Sequence, residues 1–192
     1  DDGQIKTEKA KYSPIMDFPV NKKTDNKEGC VILYERPLKN PEWGTYYASI
    51  DPIGEGKTTT SDSLCSIVVY KNPLEITREN ENGENVTVIE RDKLVATWCG
   101  RFDDINKTHE RLLLLIEYYN AWTLVENNIS LFIQYMIGVR KQNFLIPKSQ
   151  VSFLKDLGAN KAVYSDYGWK NTGTLFKSHL ISYAIEYLKE EI

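Results

Sequence analysis

Asp51, Asp62 and Glu126 are the side chains of this sequence best able to do chemistry together. Asp51 closes the strand-like run TYYASI and is followed by Pro52, while Asp62 stands just before a second such run, LCSIVVY. Glu126 closes WTLVE, immediately before a helix-like segment. Two carboxylates delivered to one place repel, and each raises the other's pKa unless a cation neutralises them. Hard oxygen ligands suit Mg²⁺ or Mn²⁺. Two such ions about 4 Å apart can activate a water and stabilise the leaving oxygen of a phosphodiester. On this reading Asp51 and Glu126 are catalytic metal ligands, with Asp62 an auxiliary ligand. Each residue alone also has a plainer reading. Asp51-Pro52 can simply initiate a turn, Glu126 can face the dipole of the following helix, and Asp62 can be a loop or cap residue.

The intervening stretch IDPIGEGKTTTSDS contains GEGKT, which looks like the tail of a phosphate-gripping loop. That motif requires a glycine where Asp51 stands, and a carboxylate there repels phosphate. It must also open a helix, whereas the chain continues into β-branched, strand-like sequence. Other catalytic chemistries find little support. His109 and His179 are isolated on helical segments and read as surface or partly buried residues, and no GxSxG elbow accompanies them. Cys30, Cys65 and Cys99 are dispersed and odd in number, which argues against a zinc site or disulfide framework and fits a reducing cytosol.

The elements that must position the acids follow from periodicity. Residues 1–29 are polar and lysine-rich, a linker or extension. Residues 30–192 read as one domain. Cys30–Tyr34 is a short strand, Thr45–Ile50 and Leu64–Tyr70 are buried strands, LEIT and VTVIE form a hairpin about ENENGEN, and Leu94–Cys99 is a further strand. A helix capped by Asp103 or Asp104 follows, with Ile105, Leu112, Leu115, Ile116 and Tyr119 near one face. Then come strand WTLVE, a helix from Asn127 or Asn128, a short strand at Phe144–Ile146, and an amphipathic helix from about Thr174. An antiparallel meander followed by αβ crossovers predicts an α/β fold with a mixed central sheet flanked by helices. This is the element order of the ribonuclease H-like fold, in which the strands ending at Asp51 and Glu126 are parallel neighbours.

The bulk numbers agree with a single globular unit of 192 residues, 41% apolar and 27% charged. No run of about eighteen apolar residues exists, so no membrane partner is expected. A net charge of −3 gives no global attraction to polyanions, so a nucleic acid would have to be held by local basic groups or metal ions. A chain that begins Asp1-Asp2 without Met reads as a fragment of something larger.

The segments YYASIDP, SDSLCSIVVYK, LVATWCGR, LLLLIEYYNAWTLVENN and YGWKNTGTLFK, covering roughly residues 44–180, resemble the nuclease domain of the large terminase subunit of tailed bacteriophages. The resemblance implies a two-metal endonuclease, using Mg²⁺ or Mn²⁺, that cuts concatemeric viral DNA into 5′-phosphate and 3′-hydroxyl ends. It makes Asp51 and Glu126 the first and second catalytic ligands and Asp62 an acid close to the metal. It also implies double-stranded viral DNA, a portal protein and a small terminase subunit as partners, and the host cytoplasm as location. The family's third catalytic acid lies beyond the final helix. This chain ends LKEEI before that point, so truncation and weak activity are expected.

Lys57, Arg140, Lys141, Lys148, Lys170 and Lys177 are the candidate DNA-contacting residues, each of which could equally be a solvated surface cation. The competing functions are a Holliday-junction resolvase or transposase-like nuclease, a non-catalytic DNA-guiding and portal-docking module, and an actin-like ATPase.

Overall fold

The computed structural model describes residues 13–15, 27–56, 63–150 and 166–169. Lys57, Asp62, Lys170 and Lys177, together with the helix expected from Thr174, lie outside the described residues.

Burial alternates along β2 (Tyr46–Asp51) and β3 (Cys65–Lys71), as it must for strands with one face on a core. They pair antiparallel, and β3 pairs antiparallel with β6 (Lys93–Gly100). A two-residue strand, β1 (Ile32–Leu33), borders β6. It is shorter than the run Cys30–Tyr34 suggested. Between β3 and β6 the chain makes a separate two-stranded hairpin, β4 (Leu74–Glu79) and β5 (Asn85–Glu90). After α1 (Ile105–Tyr119), strand β7 (Trp122–Val125) joins the free side of β2 in parallel. The result is an α/β protein whose described residues form a mixed five-stranded sheet in the order β1-β6-β3-β2-β7.

Helix α1 starts where the sequence indicated, with the Asp104 carboxylate accepting from the Asn106 N–H at 2.9 Å. It ends at Asn120 in the left-handed region (φ 51°). The second helix, α2 (Leu131–Gly138), starts later than Asn127 or Asn128. Asn127 is committed elsewhere: its backbone N–H donates to Trp169 O and its side-chain amide donates to Tyr167 O. The expected strand at Phe144–Ile146 is a 3-10 turn (Gln142–Phe144) followed by a single parallel bridge from Leu145 to Thr123. A second 3-10 turn spans Lys148–Gln150.

Both described helices cover the same face of the sheet. Tyr46, Ala48, Ile50, Ile67, Val69 and Trp98 from the strands cluster with Leu112, Ile116 and Tyr119 of α1 and with Phe132, Ile133 and Met136 of α2. Each such side chain, fully buried, contributes roughly 1.5–3 kcal/mol. His109 belongs to this interface and is more deeply buried than the surface or partly buried position expected for it. It is 4% exposed, with its ring 5.5 Å from Phe132 and 5.2 Å from Tyr135. Desolvation lowers its pKa to about 4, so it is neutral at pH 7.

At the edge of the sheet where β3 ends, Lys71 is 1% exposed yet charged. Its ammonium donates to Glu35 at 2.8 Å and to Glu90 at 2.7 Å, and Lys93 contacts the same two carboxylates. This four-membered network fastens the base of the hairpin to the sheet. Among the described residues no helix is long and apolar enough to cross a membrane.

Candidate active site

The parallel pairing of β2 with β7 runs through Tyr47↔Trp122, Ser49↔Leu124 and Ile50↔Val125. One residue further, the Glu126 N–H donates to Ile50 O at 2.9 Å, which continues the ladder past the last formal pair. Asp51 and Glu126 are therefore consecutive with a paired position on adjacent strands, at the carboxyl ends of both. Side chains alternate between faces along a strand, and paired residues of a parallel ladder share a face. Ala48, Ile50, Thr123 and Val125 are buried on the helix-covered face. Tyr47, Ser49 and Asp51, together with Trp122, Leu124 and Glu126, project from the other. The Tyr47 and Trp122 rings meet at 6.0 Å on that second face. The two acids thus leave one lip of the sheet side by side.

Asp51 is exposed and Glu126 half-buried. The Glu126 carboxylate accepts a hydrogen bond from the Asn128 side-chain amide, which restrains its rotamer. A cavity of about 440 Å³ opens beside Asp51, lined by Pro52, Ile53, Ser63, Leu64, Arg101 and Ile129 among others. Glu126 is not among the residues that line it. The chemistry of the donor set fits a divalent cation: two carboxylates with accessible oxygens, in register, on one face. Among the described residues no group of three or more Asp, Glu, His or Cys side chains is placed to hold a metal.

The loop after Asp51 is held by a residue that sequence reading did not single out. Arg101, 5% exposed, donates from Nε to Gly56 O, from Nη1 to Ser63 O at 2.9 Å and from Nη2 to Glu55 O at 3.1 Å. One guanidinium therefore grips both ends of the segment that contains Lys57 and Asp62. Arginine suits this task because its planar fork presents several donors at once. Nothing in the run WCGR distinguishes this arginine from a surface one, so the sequence carried no usable signal. Gly56 also acquires a purpose. A Cβ there would stand 2.2 Å from the Asp103 carbonyl oxygen, so the loop can pack against the start of α1 only through a glycine. The glycine of GEGKT is thus needed for close packing of backbone on backbone.

The second glycine that matters is Gly168, with φ +70° and a Cβ position 2.5 Å from Val125 O. It lets Trp169 come in beside β7, where the Trp169 N–H donates to Val125 O at 2.9 Å. The YGW segment is therefore built against the strand end that carries Glu126.

The basic candidates are dispersed. Arg140 and Lys141 follow α2, and Lys141 pairs with Glu117 near the end of α1. Helix α1 starts beside Gly56, so its end lies at the opposite edge of the sheet from Asp51 and Glu126. Lys148 opens the 3-10 turn beyond β7, nearer the carboxylate lip.

No protein-family model matches this chain, and no curated protein matches it in sequence.

Proposed function

We propose that this chain is a metal-dependent DNA endonuclease domain with a ribonuclease H-like core, of the kind that cuts concatemeric viral DNA in the large terminase subunit of tailed bacteriophages. One observation carries the reading: β2 and β7 are parallel neighbours whose register delivers Asp51 and Glu126 to the same lip and face. The mixed sheet, with an antiparallel β2-β3-β6 meander extended by a parallel strand after a helical crossover, supports the same fold. Ligand sites in such sheets form at the carboxyl ends of the strands, where the chain switches direction.

Asp51 and Glu126 would hold Mg²⁺ or Mn²⁺, which when bound supplies charge neutralisation at the phosphodiester and a nucleophilic water at neutral pH. The protein's own share is positional. Strand pairing aligns the two acids, Asn128 restrains Glu126, and Arg101 grips Gly56 and Ser63, the described residues on either side of Lys57 and Asp62 in the sequence. Asp62 as auxiliary ligand, and Lys57, Lys148 and Lys170 as phosphate contacts, belong to this proposal. So do viral duplex DNA, the portal and the small terminase subunit as partners, and the host cytoplasm as the place of action.

The test is plasmid nicking. Weak Mn²⁺-dependent relaxation of supercoiled DNA is expected from the chain, with rates lowered further, roughly 100-fold or more, in Asp51→Asn and in Glu126→Gln. Cleavage unaffected by both substitutions would remove the proposal. DNA retention with no cutting, indifferent to Asp51, would favour the guiding and docking module. Preference for four-way junctions over duplex would favour a resolvase.

A further inference from the structure

A second cavity, of about 430 Å³, lies alongside β7 and is lined by Trp43, Trp122, Gln142, Asn143, Leu145, Pro147, Gln150 and Tyr167. Its composition is specific. Trp43 is 47% exposed, and its ring is 6.0 Å from Trp122 and 5.6 Å from Phe144, so its remaining surface is presented to solvent on a rigid aromatic base. Trp122 is itself fixed, with Nε1 donating to Leu145 O. Three side-chain amides, those of Gln142, Asn143 and Gln150, are exposed around the aromatic floor. Among the described residues no charged side chain lines the cavity. The segment that supplies most of the wall is nevertheless bracketed by cations, with Arg140 before it and Lys148 within its last turn, while Lys141 is paired with Glu117.

A neutral aromatic and amide pocket with a basic surround matches a ligand whose body is planar and uncharged, whose edge carries donors and acceptors, and whose linkage is anionic. That describes a nucleotide in a single strand. Aromatic faces stack any base, amides meet its polar edge, and cations meet the flanking phosphates. A free sugar would not use the cations, and a duplex cannot offer an unstacked base.

The cavity also shares a face with the carboxylates. Trp122, Leu124 and Glu126 alternate outward on β7, paired with Tyr47, Ser49 and Asp51 on β2. A continuous track of roughly 13 Å, four strand residues long, therefore joins the aromatic floor to the acidic lip.

We infer that the Trp43–Trp122 cavity is a stacking subsite for an unpaired nucleobase of single-stranded DNA, placed to hold a strand that runs on to Asp51 and Glu126. The choice of DNA rests on the nuclease reading; the stacking chemistry does not.

The experiment measures binding of a fluorescently labelled oligothymidylate, and of a duplex of equal length, by anisotropy in EDTA, where no cleavage occurs. The single strand is expected to bind more tightly than the duplex. Trp43→Ala should weaken it about tenfold, the order expected for loss of one stacked base, and Trp43→Phe should retain most of the affinity. The exposed Gln150→Ala, which carries no risk to the core, should weaken single-strand binding about two- to threefold, the order expected for one lost polar contact. The slope of affinity against salt should match wild type in all three variants, because the phosphate contacts remain. Equal affinity for duplex, or single-strand binding indifferent to both Trp43→Ala and Gln150→Ala, would overturn the subsite. So would preferential binding of a neutral oligosaccharide or of a partner protein at this cavity. Asp51→Asn run in parallel separates the two readings. If it binds the single strand normally while the wild type never cuts DNA, the nuclease reading falls and the subsite stands.

Discussion

At one edge of the central sheet Glu35 and Glu90 each meet two lysines, Lys71 and Lys93. At the other edge Asp51 makes no ion pair with any described residue, and Glu126 is restrained by the neutral amide of Asn128. The same kind of acidic side chain is matched by two lysines in the first place, whereas Asp51 in the second pairs with no cation among the described residues. The pKa directions agree for the first edge. Hydrogen bonds from Lys71 and then Lys93 hold Glu90 down at about 2. Burial acts to raise Glu35, but the same two lysines overcome it and leave its pKa lowered. A carboxylate already neutralised by buried lysine is a fastening. One that points from a strand end into solvent, beside a second acid, is suited to bind a cation.

Substitutions at the two edges should therefore behave differently. The largest effect is expected from Lys71→Met. It leaves two partly buried carboxylates sharing Lys93 alone, so stability measured by urea unfolding should fall by about 3 kcal/mol. Adding Glu90→Gln should recover part of the loss. The acid limb of the stability profile follows from the sign of the shifts. Glu35 and Glu90 have lowered folded-state values, so their contribution is complete above about pH 4.5 and is lost as the pH falls below it, for Glu90 through about 2.

A somewhat smaller effect is expected at His109. Its folded-state pKa of about 4 lies below the ordinary 6.5. The stability that comes from keeping it neutral is complete above pH 6.5 and declines as the pH falls toward 4. The decline should be on the order of 2–3 kcal/mol and should be absent in His109→Leu. The smallest effect is expected from Asp51→Asn in EDTA, where removing an exposed charge beside another acid should change stability by less than about 0.5 kcal/mol. A loss there as large as that from Lys71→Met would erase the contrast between the two edges.

The parts of the fold that were legible in the sequence share a physical cause. TYYASI, LCSIVVY and WTLVE each bury one alternating face, and α1 buries a helical stripe behind an aspartate cap, so period and capping located them. Their pairing followed because a meander and a crossover leave few topologies. The misreadings arose where a backbone's partner is distant in sequence. Asn127 resembles a helix start, but its amides are taken by Tyr167 and Trp169. Leu145 resembles a strand centre, but it finds only one bridge, to Thr123. His109 gave no sign of burial because its neighbours Phe132 and Tyr135 belong to another helix.

The placement of two of the candidate acids at neighbouring strand ends was legible in the same measure. Strand ends announced Asp51 and Glu126, since a carboxylate that terminates an apolar run must emerge at the sheet edge. Arg101 and Trp43 were silent. Their roles come from what they touch, residues far away in the chain, and no local pattern marks an arginine that grips carbonyls or a tryptophan that caps a cavity.

The most direct measurement is anomalous scattering from a crystal of this chain soaked in Mn²⁺. The account predicts density between the Asp51 and Glu126 carboxylates, ligated by oxygens of both and absent from Asp51→Asn crystals grown alike. Manganese that settled elsewhere, or on only one of these two acids with the other turned away, would contradict it.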